Sequence, residues 1–152
     1  MNCGAGFGLK AAVQSVEVSC FVHATEDRAI IADSLSRTVT GDVQPEEEEM
    51  EGHFGNPILH VRYSLKGEEG VVAMGKIAYL LSKETKDKIM RELALLIDEH
   101  NALYLRFSKQ SLVAGKFEIG SEDSIRVRVK PRGYVPRGEI MDLYKILLDS
   151  SK

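Results

Sequence analysis

Cysteine is scarce: only Cys3 and Cys20 occur in 152 residues. Two thiols make neither a disulfide framework nor a zinc quartet, and a reducing, cytoplasmic setting is the expectation. Cys20 falls on the apolar side of an alternating stretch and reads as a small core hydrophobe. No apolar run approaches the roughly 20 residues that a bilayer-spanning helix needs. The first residues, Met1–Ala12, are glycine-rich with a single Lys10, and they lack the basic start and apolar core of a secretory signal. Asn2 stands where N-myristoylation requires glycine. Gly-x-Ser-x-Gly is missing, and neither cysteine has a local activating signature. Gly4-Ala5-Gly6-Phe7-Gly8 has neither a preceding strand nor the Gly-Lys-Ser/Thr ending of a phosphate loop. The four histidines, His23, His53, His60 and His100, are widely spaced, with no i, i+4 pair. Neither metal nor cofactor is expected. A hydrolase built on His53 and His60, near Glu51, ranks last among the functional readings.

What the chain does have is an uneven distribution of charge. The formal net charge is −3. Residues 1–55 carry three basic and ten acidic side chains, net −7, whereas residues 56–152 carry 17 basic and 13 acidic, net +4. Between Asn101 and Gly138 eight basic residues face three acidic ones. Such asymmetry is what a cationic binding face on an acidic body looks like, although strands also solvate an outer face with long cations.

Period-two alternation runs through Val16–Val22, Ile58–Leu65, Leu103–Phe107, Val113–Ile119 and Ile125–Val129, and it predicts five half-buried strands. The last three read as a meander, turning at Ser108–Ser111 and at Gly120–Asp123. Thr25 reads as the cap of a helix ending before Thr40–Gly41. Weaker periodicity predicts a helix over Val71–Leu81, and Ser82 caps another over Lys83–His100. The acid run Pro45–Glu51 reads as either a short helix or a loop. Glu139–Asp149 is a final helix, apolar over more than half its circumference, so it must dock on its own domain or on a second copy. The expected fold class is a two-layer α+β domain, a mostly antiparallel mixed sheet of about five strands with helices on one face. Its parts are a flexible 1–13, a single domain over 14–135, and a terminal helix in 136–152. The outer sheet face would present Arg62, Tyr104, Arg106, Arg126, Arg128 and Lys130, a mixture suited to phosphates and unpaired bases. No short RNP-type motif accompanies it.

Four segments together resemble an archaeal RNA-binding family described as predicted exosome subunits: VEVSCFVHATED (Val16–Asp27), EGHFGNPI (Glu51–Ile58), LIDEHNALYLRFSKQ (Leu96–Gln110) and Gly120–Lys130. The resemblance implies an α+β fold like that of large-subunit ribosomal protein five, a cytoplasmic archaeal protein, and a non-catalytic role with RNA and exosome components as partners. Its matching positions give His53, Asn56, Arg106, Lys109 and Gln110 as favoured contacts. The competing expectation is an assembly module without nucleic-acid contact, a homodimer through Ile140, Leu143, Tyr144 and Leu147.

Overall fold

A computed structural model describes residues 12–37, 43–52, 54–120 and 124–149. Its centre is an antiparallel five-stranded sheet in the order β2-β3-β1-β5-β4. The strands are β1 (Val13–His23), β2 (Glu46–Glu51), β3 (Pro57–Lys66), β4 (Leu103–Ser108) and β5 (Ser124–Pro131). The helices are α1 (Arg28–Ser36), α2 (Glu68–Leu80), α3 (Lys83–Arg91), α4 (Leu93–Leu96), α5 (Lys109–Val113) and α6 (Arg137–Leu148).

Alternation decides which face is covered. Val16, Val18, Cys20 and Val22 on β1 join Val61 and Leu65 on β3 in the core. Leu103, Leu105 and Phe107 on β4 and Ile125, Val127 and Val129 on β5 continue the same layer. α2 packs across β1 and β3 and against α6. That close approach requires Gly70: a Cβ there would lie 2.9 Å from Val16 Cγ2 and 3.0 Å from the Leu65 carbonyl oxygen. The two-layer α+β architecture read from the sequence is the one the chain adopts.

Several elements differ from expectation. Val113–Ile119 is not a strand, so there is no meander and β4 pairs directly with β5. The Ser108 hydroxyl accepts the Ser111 amide at 3.3 Å and starts α5 instead of a turn. In and after α5, Leu112 and Phe117 are buried, while Val113 and Ile119, expected on the apolar face, are exposed. Phe117 meets Phe107 edge-on at 5.0 Å. The fifth strand is instead the acid run, β2, exposed along its whole length. Asp27, not Thr25, caps α1, its carboxylate accepting the Ala29 and Ile30 amides at 3.0 and 3.2 Å. Ser82 caps α3 as expected, through the Thr85 amide at 3.1 Å, but that helix stops at Arg91. β1 begins within the segment expected to be flexible, with Val13 fully buried. Residues 1–11 and the expected turn positions 121–123 lie outside the described residues.

α6 closes the core on its own chain. Ile140, Tyr144, Leu147 and Leu148 are buried there, and Leu143 packs partly against the cluster. Of the dimer seam expected through Ile140, Leu143, Tyr144 and Leu147, three residues are therefore core and only Leu143 is partly accessible. The Tyr144 hydroxyl donates to the Asn101 carbonyl, and Asn101 Nδ2 donates to the Val135 carbonyl at 2.8 Å. Burial, then the charge of Asp98, holds the Tyr144 phenol well above its ordinary range, against a lowering contribution from the Leu103 backbone.

Candidate nucleic-acid interface

The face opposite the helices is open, and strand register sorts its side chains into rows. One row crosses all five strands: Glu46, Arg62, Ser19, Arg126, Arg106. Beside it run Ser64, Glu17, Arg128 and Tyr104. On its other side stand Glu48, His60 and Phe21. A further row holds Lys66, Ser15 and Lys130. Charge thus changes sign across the sheet, from the glutamates of β2 to the arginines of β5 and β4.

The cations fall into three situations. Arg62 is neutralised, with Nη2 at 3.2 Å from the Glu46 carboxylate. Arg126 and Arg128 each lie over an aromatic ring, Arg126 at 5.8 Å from the centroid of Phe21 and Arg128 at 5.4 Å from that of Tyr104. Phe21 itself packs on His60 at 4.7 Å between centroids. A guanidinium held over a ring is orientated while its in-plane N–H groups stay available to an anion. Arg106 stands directly opposite Arg126 in the β4–β5 ladder, a like-charge pairing that disfavours the sheet until something negative arrives. Neither has a carboxylate partner among the described residues. Arg128 Nε is shielded from solvent with no hydrogen-bond partner. Such an atom calls for an acceptor, because a buried N–H left unpaired carries its full desolvation penalty. Arg106, Arg126 and Arg128 converge with Tyr104, Glu17 and Ser19 on a depression of about 240 Å³.

The residues expected to bind are not all here. Tyr104, Arg106, Arg126, Arg128 and Lys130 share the open face with Arg62. Lys109 does not: it is 5% exposed, with Nζ 2.9 Å from the Glu26 carboxylate and donating also to the Phe21 carbonyl. It fastens α5 and β1 together and has no access to a ligand. Gln110 is exposed on α5. Asn56 is exposed at the entry to β3, where its carbonyl accepts the Gly52 amide at 2.6 Å. Between β3 and β4 lie three strand spacings, roughly 14 Å. The Asn56 loop therefore sits nearer the acidic edge and does not join the arginines. His53 lies outside the described residues. What the sequence did not reveal is that Glu17 and Ser19 line the depression and that each of two arginines covers a ring. Alternation names the face, but only cross-strand register says which residues are neighbours.

Among the described residues, no group of three histidines, cysteines or acids could hold a metal ion, and no helix is long and apolar enough to cross a membrane.

Comparison with known proteins yields consistent likenesses. A family described as RNA binding matches residues 15–131. An RNA-binding protein of Pyrococcus abyssi is 29% identical over 137 residues, covering 86% of this chain and 89% of that protein. Among solved structures, a DUF54 family protein from Archaeglobus fulgidus superposes with a TM-score of 0.76 at 25% identity, covering 89% of this chain and 99% of the other. A DUF54 protein from Methanothermobacter thermautotrophicus gives 0.72 at 27% identity, with coverages of 90% and 98%.

Proposed function

The chain belongs to the family described as RNA binding, and from that premise we propose that it binds RNA through the open sheet face, on the half formed by β5 and β4. The observation that carries this reading is the opposition of Arg106 and Arg126, two guanidinium groups with no carboxylate partner among the described residues, held side by side with Arg128 next to them. A phosphodiester chain supplies the missing negative charge, and Lys130 and Lys66 continue the track along the sheet. The glutamates of β2 limit the footprint on the other side by repelling the backbone.

The reading extends to a non-catalytic role in RNA processing, cytoplasmic and in association with the exosome, on a fold like that of large-subunit ribosomal protein five. The resemblance at Val16–Asp27, Glu51–Ile58 and Leu96–Gln110 supports that extension. The assembly-module alternative loses its main argument because the apolar side of α6 lies in the core.

Titrating a labelled single-stranded RNA at several salt concentrations tests the proposal. Three neutralised phosphates give a slope of about −2 in log K against log salt, and Arg106→Ala with Arg126→Ala reduces its magnitude by roughly 1.4. Binding indifferent to both salt and the double substitution overturns it.

A further inference from the structure

The edge strand β4 separates the arginine-lined depression from a second concavity, a groove of about 350 Å³ against α3 and α4. Tyr104, Leu105 and Arg106 line both. The groove exists because the helix that begins at Lys83 breaks at Glu92, turning Leu95 outward. Leu95 is 85% exposed. Leu95, Leu96, Leu105 and Ile119 give the groove an apolar lining, and the carboxylates of Glu92 and Asp98 offset the cations of Lys88 and Arg106 there.

We infer that this groove takes an unpaired nucleobase from the RNA strand whose phosphates lie on Arg106, Arg126 and Arg128, an inference that rests on the function proposed above. Three observations choose the occupant. First, the two concavities share their dividing residues, so a strand on the arginines passes the mouth of the groove. Second, the two linings sort the parts of a nucleotide: three arginines in the depression attract phosphate, while the groove, charge-balanced and apolar at Leu95, Leu96, Leu105 and Ile119, favours the uncharged ring. An apolar slot beside an aromatic side chain suits a base, which has a flat face whatever its identity. Third, the outer edge of β4 is already taken at both ends. Leu103 bridges to Ile97 and Phe107 to Ile119, and the Arg106 carbonyl accepts the Gly120 amide at 3.2 Å. Gly120 belongs to that closure, since a Cβ there would come within 2.8 Å of the Ser108 amide nitrogen. An added peptide strand needs a continuous free edge, which β4 does not offer. A single ring needs none.

Tyr104 is the pivot. Its ring lies under the Arg128 guanidinium on the depression side. On the groove side the Asp98 carboxylate accepts the His100 and Ala102 amides at 2.8 and 2.9 Å. The ring thus stands between the phosphate side and the base side.

The test compares two RNAs of equal length and equal phosphate count, a mixed-sequence 12-mer (about the span of one basic face) and the same strand with abasic central riboses. Binding is measured by anisotropy to the full chain and to Leu95→Ser, whose exposed position spares the core. The intact strand binds the unsubstituted chain about tenfold more tightly than the abasic one, and that ratio falls toward one in Leu95→Ser. Equal binding of both strands, still salt-dependent, overturns the groove assignment and leaves the proposed function standing. Binding of neither strand overturns the function itself. A preference for bases that survives Leu95→Ser overturns the groove, as does a blunt duplex that competes as well as the single strand. Self-association that Leu95→Ser abolishes would give the groove to a second copy of the chain and also overturn the base assignment.

Discussion

Residues of one chemical type do different work here according to burial. Arg106, Arg126, Lys130 and Lys109 all belong to the basic stretch after Asn101, yet Lys109 is spent inside the molecule on Glu26 and the Phe21 carbonyl. Replacing Lys109 with Met takes the cation from a half-buried carboxylate, which keeps the His23 amide, and removes a donor from the Phe21 carbonyl. The expected loss is about 2–3 kcal/mol, below the range for a fully buried pair because Glu26 retains some solvent. Thermal denaturation reads this as a melting point lower by roughly 4–12 °C, while RNA affinity of the folded protein stays unchanged. Weakened binding without loss of stability would return Lys109 to the interface.

Asp98 makes a second residue-level case. Its carboxylate accepts the His100 amide at 2.8 Å and the Ala102 amide at 2.9 Å, closing the turn before β4. Because its folded pKa is lowered, it stabilises the fold above the ordinary carboxylate pKa, and that contribution is lost as pH falls through the folded value. The stability difference between the protein and Asp98→Asn is therefore full at neutral pH and closes below about pH 4. Urea melts at pH 7 and pH 3 check it; a gap independent of pH contradicts it.

The strands that alternate over a buried face were legible because one side of each is core, so β1, β3, β4 and β5 could be read from their residues alone. Val113–Ile119 alternates equally well and fails. Ser108 caps a helix, Gly115 takes φ +87, and Phe107 is already paired through Ile125, so the segment contributes only isolated bridges. β2 has the opposite history: four consecutive glutamates carry no strand signal, and it is held to β3 by the backbone ladder and the exposed Glu46–Arg62 pair. Its charges also protect the sheet edge against another chain. α6 was legible as an apolar helix, but nothing local to it says whether its partner is its own sheet or a second copy. Its burial sets an expectation. Leu147→Asp places a charge in the core and lowers the melting point by the same amount at every protein concentration, with no change in sedimentation of the folded form. A concentration-dependent shift would restore the intermolecular seam.

At the scale of the whole molecule, the sheet separates its charges by strand order. The acidic segment is an outer strand at one edge, and the basic residues collect at the other, with the neutral Ser19 between Arg62 and Arg126. The sequence halves foretold the sign of each region but not their placement, because β1 from the acidic half inserts between β3 and β5. That insertion sets Phe21 under Arg126 and separates the Asn56 loop from the Arg106 segment, two regions that resemblance alone had joined.

The most direct test of RNA binding at the β5–β4 half is ultraviolet crosslinking of the chain to RNA in cells, followed by mapping of the modified peptides. Crosslinks at Tyr104–Arg106 and at Arg126–Arg128 are the predicted result. Crosslinks confined to the Asn56 loop, or none on the open face, would contradict it.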